Sequence, residues 1–258
     1  MKKEIESEAK FTLKQVLFIL LLPLTLIKVL LGKEKLGVLL EPVRDLARFL
    51  LAAKTTATLI IINILVFIAE VFFISEKQLL QYAFRPEQLA QLNFAPMASS
   101  WFLHASLLHL AGNMLFLFVF GRIVEKRLGP FLMLIIYFGS AIISSFFAAL
   151  FGQGGIGASG AIAGLISTAI LIDPFYFTFI FGIPIPVIIL GWSAIILDIT
   201  GVLLPTNDNI GHFAHLGGYL AVSILVFLLG KENKEKVRKG FLINTVFAIA
   251  LLTAYLTH

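Results

Sequence analysis

From Pro130 to Ile172 the chain carries no Lys, Arg, Glu or His. No soluble domain can bury an uninterrupted run of that length, and the rest of the chain is similar in character. Of 258 residues, 59% are hydrophobic and 14% charged, and the mean hydropathy is +0.97. These values define a polytopic membrane protein, most of whose length is used in spans of about 20 residues each. Within the uncharged run stands Gly157-Ala158-Ser159-Gly160, a hydroxyl on a tight turn of small residues. Cysteine is absent, which excludes disulfides, thiol nucleophiles and thiolate metal sites.

Apolar windows predict spans at 56–75, 105–124, 130–151, 159–172, 182–203, 211–230 and 241–257. Residues 11–31 are apolar too, but only Gln15 to Ile27 lie between Lys14 and Lys28. That core suits an interfacial helix, with a true span as the alternative. Pro23 interrupts this run and no small-residue cleavage site follows it, so a removable signal peptide is not expected. Residues 33–54, with Lys33, Lys35, Arg44, Arg48 and Lys54, read as an amphipathic stretch on an anionic surface. The net charge is +5, and its placement sets the orientation. Segments 33–54, 122–129 and 231–240 are basic and face the cytoplasm by the positive-inside rule. The loops at 76–103, 152–158 and 204–210 then face the other side.

Two segments are irregular. The loop at 76–103 alternates apolar and polar residues around Pro86 and Pro96, as a loop lying in the interface would. The fourth span has only 14 residues before Asp173-Pro174, about 21 Å of helix against a hydrocarbon core of about 30 Å. The glycine-rich segment 152–157 must therefore dip inward to meet it. Non-helical backbone at that depth requires surrounding protein or a water-filled cavity, so a hydrated pocket with Ser159 at its floor is expected.

At the start of a helix, Ser159 would sit beside unpaired backbone N–H groups and the positive end of the helix dipole, a setting that stabilises an oxyanion. Taken alone, such a serine is more often a helix N-cap. His215 in the sixth span changes this balance, because an ionisable group inside a membrane is a functional candidate by default. Gly218, one turn on, lets that face approach the small face Ser159-Ala163-Ser167 of the fourth span. A serine activated by imidazole follows. Asp198 lies near the outer end of the fifth span and Asp208 in the next loop, so neither is placed as a third member, and a Ser–His dyad is favoured. His109 and Asn113, at i and i+4, share a face and suit an oxyanion hole, with helix–helix glue as the alternative for Asn113. His104, five residues before His109, would point elsewhere and reads as structural. His212 reads as interfacial. A metal site built from His104, His109, His212 and His215 has weak ligand spacing.

These residues resemble the rhomboid intramembrane serine proteases. The matching motifs are His104-xxxx-His109-xxx-Asn113, Glu125-Lys126-Arg127-Leu128-Gly129, Gly157-Ala158-Ser159-Gly160 and Ala214-His215-Leu216-Gly217-Gly218, in the family's order over about residues 56–230. The resemblance implies Ser159 as nucleophile and His215 as general base. It implies an oxyanion site from His109, Asn113, the Ser159 backbone and the Gly157-Ala158 region, with Gly157, Gly160 and Gly218 in support. It further implies an all-α, six-helix rhomboid core, a membrane-embedded first loop at 76–103, and lateral substrate entry past the fifth helix. Two positions depart from the family pattern: Val222 replaces a common glycine below Gly218, and Ala163 replaces an aromatic ring that stacks on the histidine in some members.

The expected domains are an N-terminal cytoplasmic or interfacial region (1–55), the catalytic core (56–230), and a basic loop with a seventh transmembrane helix (231–258). The expected function is cleavage of transmembrane segments of membrane proteins, with no cofactor and no nucleic-acid partner. The lipid bilayer is the medium, and the pocket of this multi-pass cell-membrane protein opens to the extracytoplasmic side. The rivals are a catalytically inactive rhomboid-like protein that binds or sorts membrane clients, and a small-solute channel or transporter.

Overall fold

A computed structural model describes residues 2–180, 183–204 and 210–257. Helix α1 (Lys2–Leu30) leads through a 3₁₀ turn (Leu36–Leu40) into the amphipathic α2 (Glu41–Leu51) and the apolar α3 (Lys54–Phe73). Three short helices follow, α4 (Glu76–Tyr82), α5 (Glu87–Ala90) and α6 (Ala95–Ser100). Next comes one long span made of α7 (Leu107–Phe116), a π-helical segment (Leu117–Gly121) and α8 (Arg122–Leu128). After α9 (Pro130–Leu150) and α10 (Ser159–Ile172), strands β1 (Phe177–Ile180) and β2 (Ile183–Pro186) pair antiparallel. The chain ends with α11 (Val187–Leu203), α12 (His212–Leu225) and α13 (Lys231–Leu256).

Among the described residues, five helices are long and apolar enough to cross a membrane: Ala9–Leu30, Lys54–Phe73, Leu107–Leu128, Pro130–Leu150 and Lys231–Leu256. Three shorter apolar helices accompany them. The protein is thus an all-α polytopic membrane fold with one small hairpin. The helix containing 11–31 has the length of a span, because it continues through Lys14 and Lys28, whose long stems allow the ammonium groups to reach the headgroups.

Three segments differ in kind from the sequence expectation. The fifth span starts at Val187, not 182, because Pro184 and Pro186 cannot lie in a helix interior and instead form β2. The start of α11 is satisfied by main chain, with Val187 N–H donating to the Tyr176 carbonyl at 2.8 Å and Ile188 N–H to that of Pro174 at 3.0 Å. The last helix starts at Lys231, ten residues early, where Glu232–Lys236 and Glu235–Arg238 pair along one face at 2.7 and 2.9 Å. Finally, the 76–103 loop contains three short helices. Ser75 and Gln78 form a capping box on α4, and Pro96 occupies the first turn of α6, where a proline costs no hydrogen bond.

Helix α10 is the axis of the bundle. All its residues except Ser159 and Leu171 are buried, as its uniformly apolar composition requires. Its neighbours approach through small residues, the usual means of close packing in membranes. A methyl added at Gly164 would overlap Ser140 of α9, and one at Gly240 of α13 would overlap the Leu171 carbonyl. Asn244 of α13 donates to the Ile170 carbonyl at 2.8 Å and accepts from Trp192 of α11 at 2.8 Å. The seventh predicted span is therefore clamped to the core.

The Glu125–Gly129 motif ties the other end together. The Glu125 carboxylate accepts from the backbone N–H of Thr55 and Thr56 and from the Thr56 hydroxyl, at 2.8–2.9 Å, capping the N-terminus of α3 with a charge that the helix dipole favours. Arg127 pairs with Asp173, just past α10, at 2.8 Å.

Candidate active site

The turn before α10 is held by the 76–103 loop. Phe84 and Gly155 exchange backbone hydrogen bonds at 2.9 and 3.1 Å, and Gly157 N–H donates to the Ser100 carbonyl at 2.8 Å. At Gly157 φ is +132°, which an L-residue rarely adopts. A side chain there would also meet His109 Nε2 at 2.9 Å and Ser159 Oγ at 3.7 Å. Glycine thus leaves room for the serine hydroxyl and the His109 ring beside the same turn. Ser159 is the first residue of α10 and not its N-cap, a position taken by Ala158, with no side chain capping the helix. The first-turn N–H groups remain available beside the hydroxyl.

Helix α12 meets α10 at this level. A methyl at Gly218 would overlap the Gly160 carbonyl and lie 2.8 Å from Ala163 Cβ, while one at Gly160 would lie 3.7 Å from the Ala214 carbonyl. Ser159 and His215 are the chain neighbours of Gly160 and Ala214, so the backbone contact brings hydroxyl and imidazole to the same depth. The expected pairing of Gly218 with the small face of the fourth span is present. Gly217 performs the same task toward Phe147 of α9, so the helix packs closely although Val222 is buried below it.

On α7, Ser106 caps the helix by accepting from His109 N–H at 3.1 Å. Ala105 N–H approaches His109 Nδ1 at 3.4 Å, which leaves the ring proton on Nε2, the nitrogen facing Gly157 and Ser159. Asn113 is buried and donates to the His109 carbonyl at 3.0 Å, leaving its second amide hydrogen for another acceptor. His104 does not point elsewhere. Because α7 begins only at Leu107, helical spacing does not apply, and the His104 ring packs edge-on to that of His109 at 5.1 Å. It is 2% exposed and anchored by its backbone N–H on Glu70 at 3.2 Å.

The largest departure from the sequence reading concerns the acid. Asp198 of α11, 5% exposed, accepts from His215 Nδ1 at 2.7 Å and His212 Nδ1 at 2.8 Å through Oδ1, and from the Tyr219 hydroxyl at 2.7 Å through Oδ2. An acid does stand beside the histidine, and His212 is part of its cluster and not merely interfacial. Asp198 is the hydrogen-bond partner of the His215 imidazole at Nδ1. One signal was available: Asp198 is the single charged residue between 182 and 203, and a lone charge in a span needs a partner. Asp208 lies outside the described residues. Among the described residues, Asp198, His212 and His215 are also the one group of three metal-binding types with ligand atoms within 4.8 Å. The four-histidine set is not assembled.

A membrane bundle with a serine at the mouth of a short helix and a histidine on the helix packed against it defines a rhomboid-like class. Comparison with known proteins agrees. A Rhomboid domain family model matches residues 91–232, more than half the chain. The chain is 27% identical over 242 residues to Rhomboid protease AarA of Providencia stuartii, covering 82% of this chain and 85% of that one. It is 30% identical over 149 residues to the mitochondrial RHOMBOID-like protein 12 of Arabidopsis thaliana, covering 50% and 44%. It is 34% identical over 135 residues to RHOMBOID-like protein 2 of the same plant, covering 52% and 41%. The chain therefore matches less than half the length of these plant relatives. It belongs to the rhomboid family.

Proposed function

We propose that this chain is an intramembrane serine endopeptidase acting on transmembrane segments of other membrane proteins. The observation that carries this reading is the Gly160–Gly218 contact, which sets a helix-terminal serine and an oriented histidine at one depth in the bundle. Ser159 Oγ attacks the peptide carbonyl while His215 Nε2 takes its proton. The oxyanion is met by His109 Nε2–H, the Asn113 amide and the first-turn N–H groups at Ser159. His215 then returns the proton to the departing amine, and water releases the acyl-enzyme. Ser159, His109 and His215 are all partly accessible, as substrate and water require. In this reading the protease core is 56–230 and its mouth opens to the extracytoplasmic face of the cell membrane, which the basic character of segments 33–54, 122–129 and 231–240 supports.

The test is cleavage of a model transmembrane substrate by the purified full chain in lipid, wild type against Ser159→Ala. Cleavage by wild type that is lost in the variant supports the reading. Absence of cleavage, or cleavage that survives the substitution, favours a client-binding rhomboid-like protein.

A further inference from the structure

We infer that His212, His215 and Asp198 form a binding site for Zn²⁺, and that its occupation switches the serine centre off. The effect on turnover rests on the protease reading above; the binding does not. The cation is an inhibitor, and no step of the proposed reaction uses it. Three atoms make the site. His212 Nδ1 and His215 Nδ1 lie 2.8 and 2.7 Å from one oxygen, Asp198 Oδ1, and all three fall within 4.8 Å of one another. Two imidazoles and a carboxylate are a donor set that zinc takes, with water in the fourth position. Zinc bonds of about 2.0–2.1 Å set tetrahedral ligands about 3.3 Å apart, so each ring draws back from the oxygen by only about half an ångström. The backbone already aims the rings. His212 and His215 stand at i and i+3 on one face of α12, and α11 supplies the carboxylate. Gly201 of α11 seats the His212 ring, which a side chain there would overlap. The Tyr219 hydroxyl donates to Asp198 Oδ2 at 2.7 Å, holding the carboxylate as the outer partner of a metal ligand does. The two histidine side chains are 12% and 17% exposed, so the site is open to an ion from water.

The switch follows from where the protons sit. Without metal, both Nδ1 atoms face a carboxylate oxygen at hydrogen-bond distance, so each carries its ring's proton and donates it. His215 Nε2 then holds the lone pair that takes the Ser159 proton in the reaction proposed above. A cation on Nδ1 needs that nitrogen's own lone pair. The single ring proton therefore passes through water from Nδ1 to Nε2. The ring stays neutral, no proton is released overall, and the hydrogen bonds to Oδ1 are exchanged for bonds to the metal. His215 Nε2 is now an N–H, which donates but cannot accept, and Ser159 has no base. The same three atoms serve both states, and metal binding and catalysis demand opposite tautomers of one ring.

The experiment titrates ZnCl₂ into the chelator-stripped full-length chain in lipid nanodiscs. Binding is read by calorimetry and, with Co²⁺ in place of zinc, by visible absorption. Turnover of a model transmembrane substrate is followed in parallel. The expected result is one cation per chain, the absorption bands of tetrahedral cobalt, and a turnover lowered at least about 100-fold at saturation, as loss of a general base requires. EDTA should restore it, and Mg²⁺, which prefers oxygen ligands, should neither bind there nor inhibit. His212→Ala should bind zinc at least about tenfold more weakly, so a concentration that silences wild type leaves this variant at its own metal-free rate. Tyr219→Phe keeps all three ligands, should weaken binding about 10- to 100-fold, and carries the test if His212→Ala does not fold. Ser159→Ala should bind as wild type does. No binding to wild type, undiminished binding in His212→Ala or Tyr219→Phe, or a loaded wild-type chain that turns over at full rate overturns the inference. A chain that binds zinc in this pattern but cleaves nothing when stripped upholds the site and refutes the protease reading, so the two failures are separately visible.

Discussion

Replacing Gly218 by alanine should separate activity from stability. The added methyl would overlap the Gly160 carbonyl and stand 2.8 Å from Ala163 Cβ, where carbon atoms ordinarily rest about 3.5–4.0 Å apart. Both obstacles are backbone or a β-carbon of a buried helix, so neither can rotate away. Helices α10 and α12 must part by about 1 Å. Overpacking of this kind costs about 1–3 kcal/mol, but alanine recovers up to about 1 kcal/mol of helix propensity over glycine. The net loss of stability is then only about 0–2 kcal/mol. Turnover is affected more, because Ser159 and His215 ride on the two helices being parted, and a misplacement of about 1 Å costs about 100-fold. The assay is kcat on a model transmembrane substrate beside thermal unfolding of the same preparation. Gly37→Ala, where nothing lies within 4 Å of the new methyl, is the control. If Gly218→Ala kept kcat within about threefold of wild type, the backbone contact would not be what aligns serine and histidine.

Other consequences follow from particular contacts. Asn113→Ala and His109→Ala should each fold and turn over about 100- to 1000-fold more slowly, and unimpaired kcat in either would reduce that residue to helix glue. Glu125→Ala removes three hydrogen bonds from the start of α3 and should lower stability by about 2–3 kcal/mol, seen as a lower unfolding temperature. An unchanged temperature would mean that water caps the helix equally well. Asn244→Leu, which releases α13 from Ile170 and Trp192, should cost about 1 kcal/mol while leaving KM unchanged. A large change in KM would bring α13 into substrate binding.

Much of the site was readable because polar groups inside apolar spans are costly and therefore stand out. Ser159, His109, Asn113 and His215 stood out as candidates by hydropathy and helical spacing, their roles came from the resemblance, and the boundaries of α10 at Ser159 and Ile172 match the expectation. Gly218 was readable for the same reason, since a small residue one turn from a functional one signals close approach. What escaped was tertiary. Asp198 and His215 are separated by 17 positions and lie on different helices, and periodicity within one span says nothing about the register between two. His104 was misjudged because the start of α7 was set too early, although Ser106 was available as its cap. Pro184 and Pro186 already argued against helix at the start of the fifth span. The charged start of α13 reads as a loop unless its Glu–Lys and Glu–Arg spacings are weighed.

The central claim is that the Ser159 hydroxyl is an activated nucleophile within the bundle. The most direct measurement is to treat the purified chain with a fluorophosphonate and locate the adduct by mass spectrometry. The account predicts one adduct, on Ser159, that disappears when His215 is replaced by alanine. A wild-type chain that remains unlabelled, or label that is found elsewhere or survives loss of His215, would contradict it.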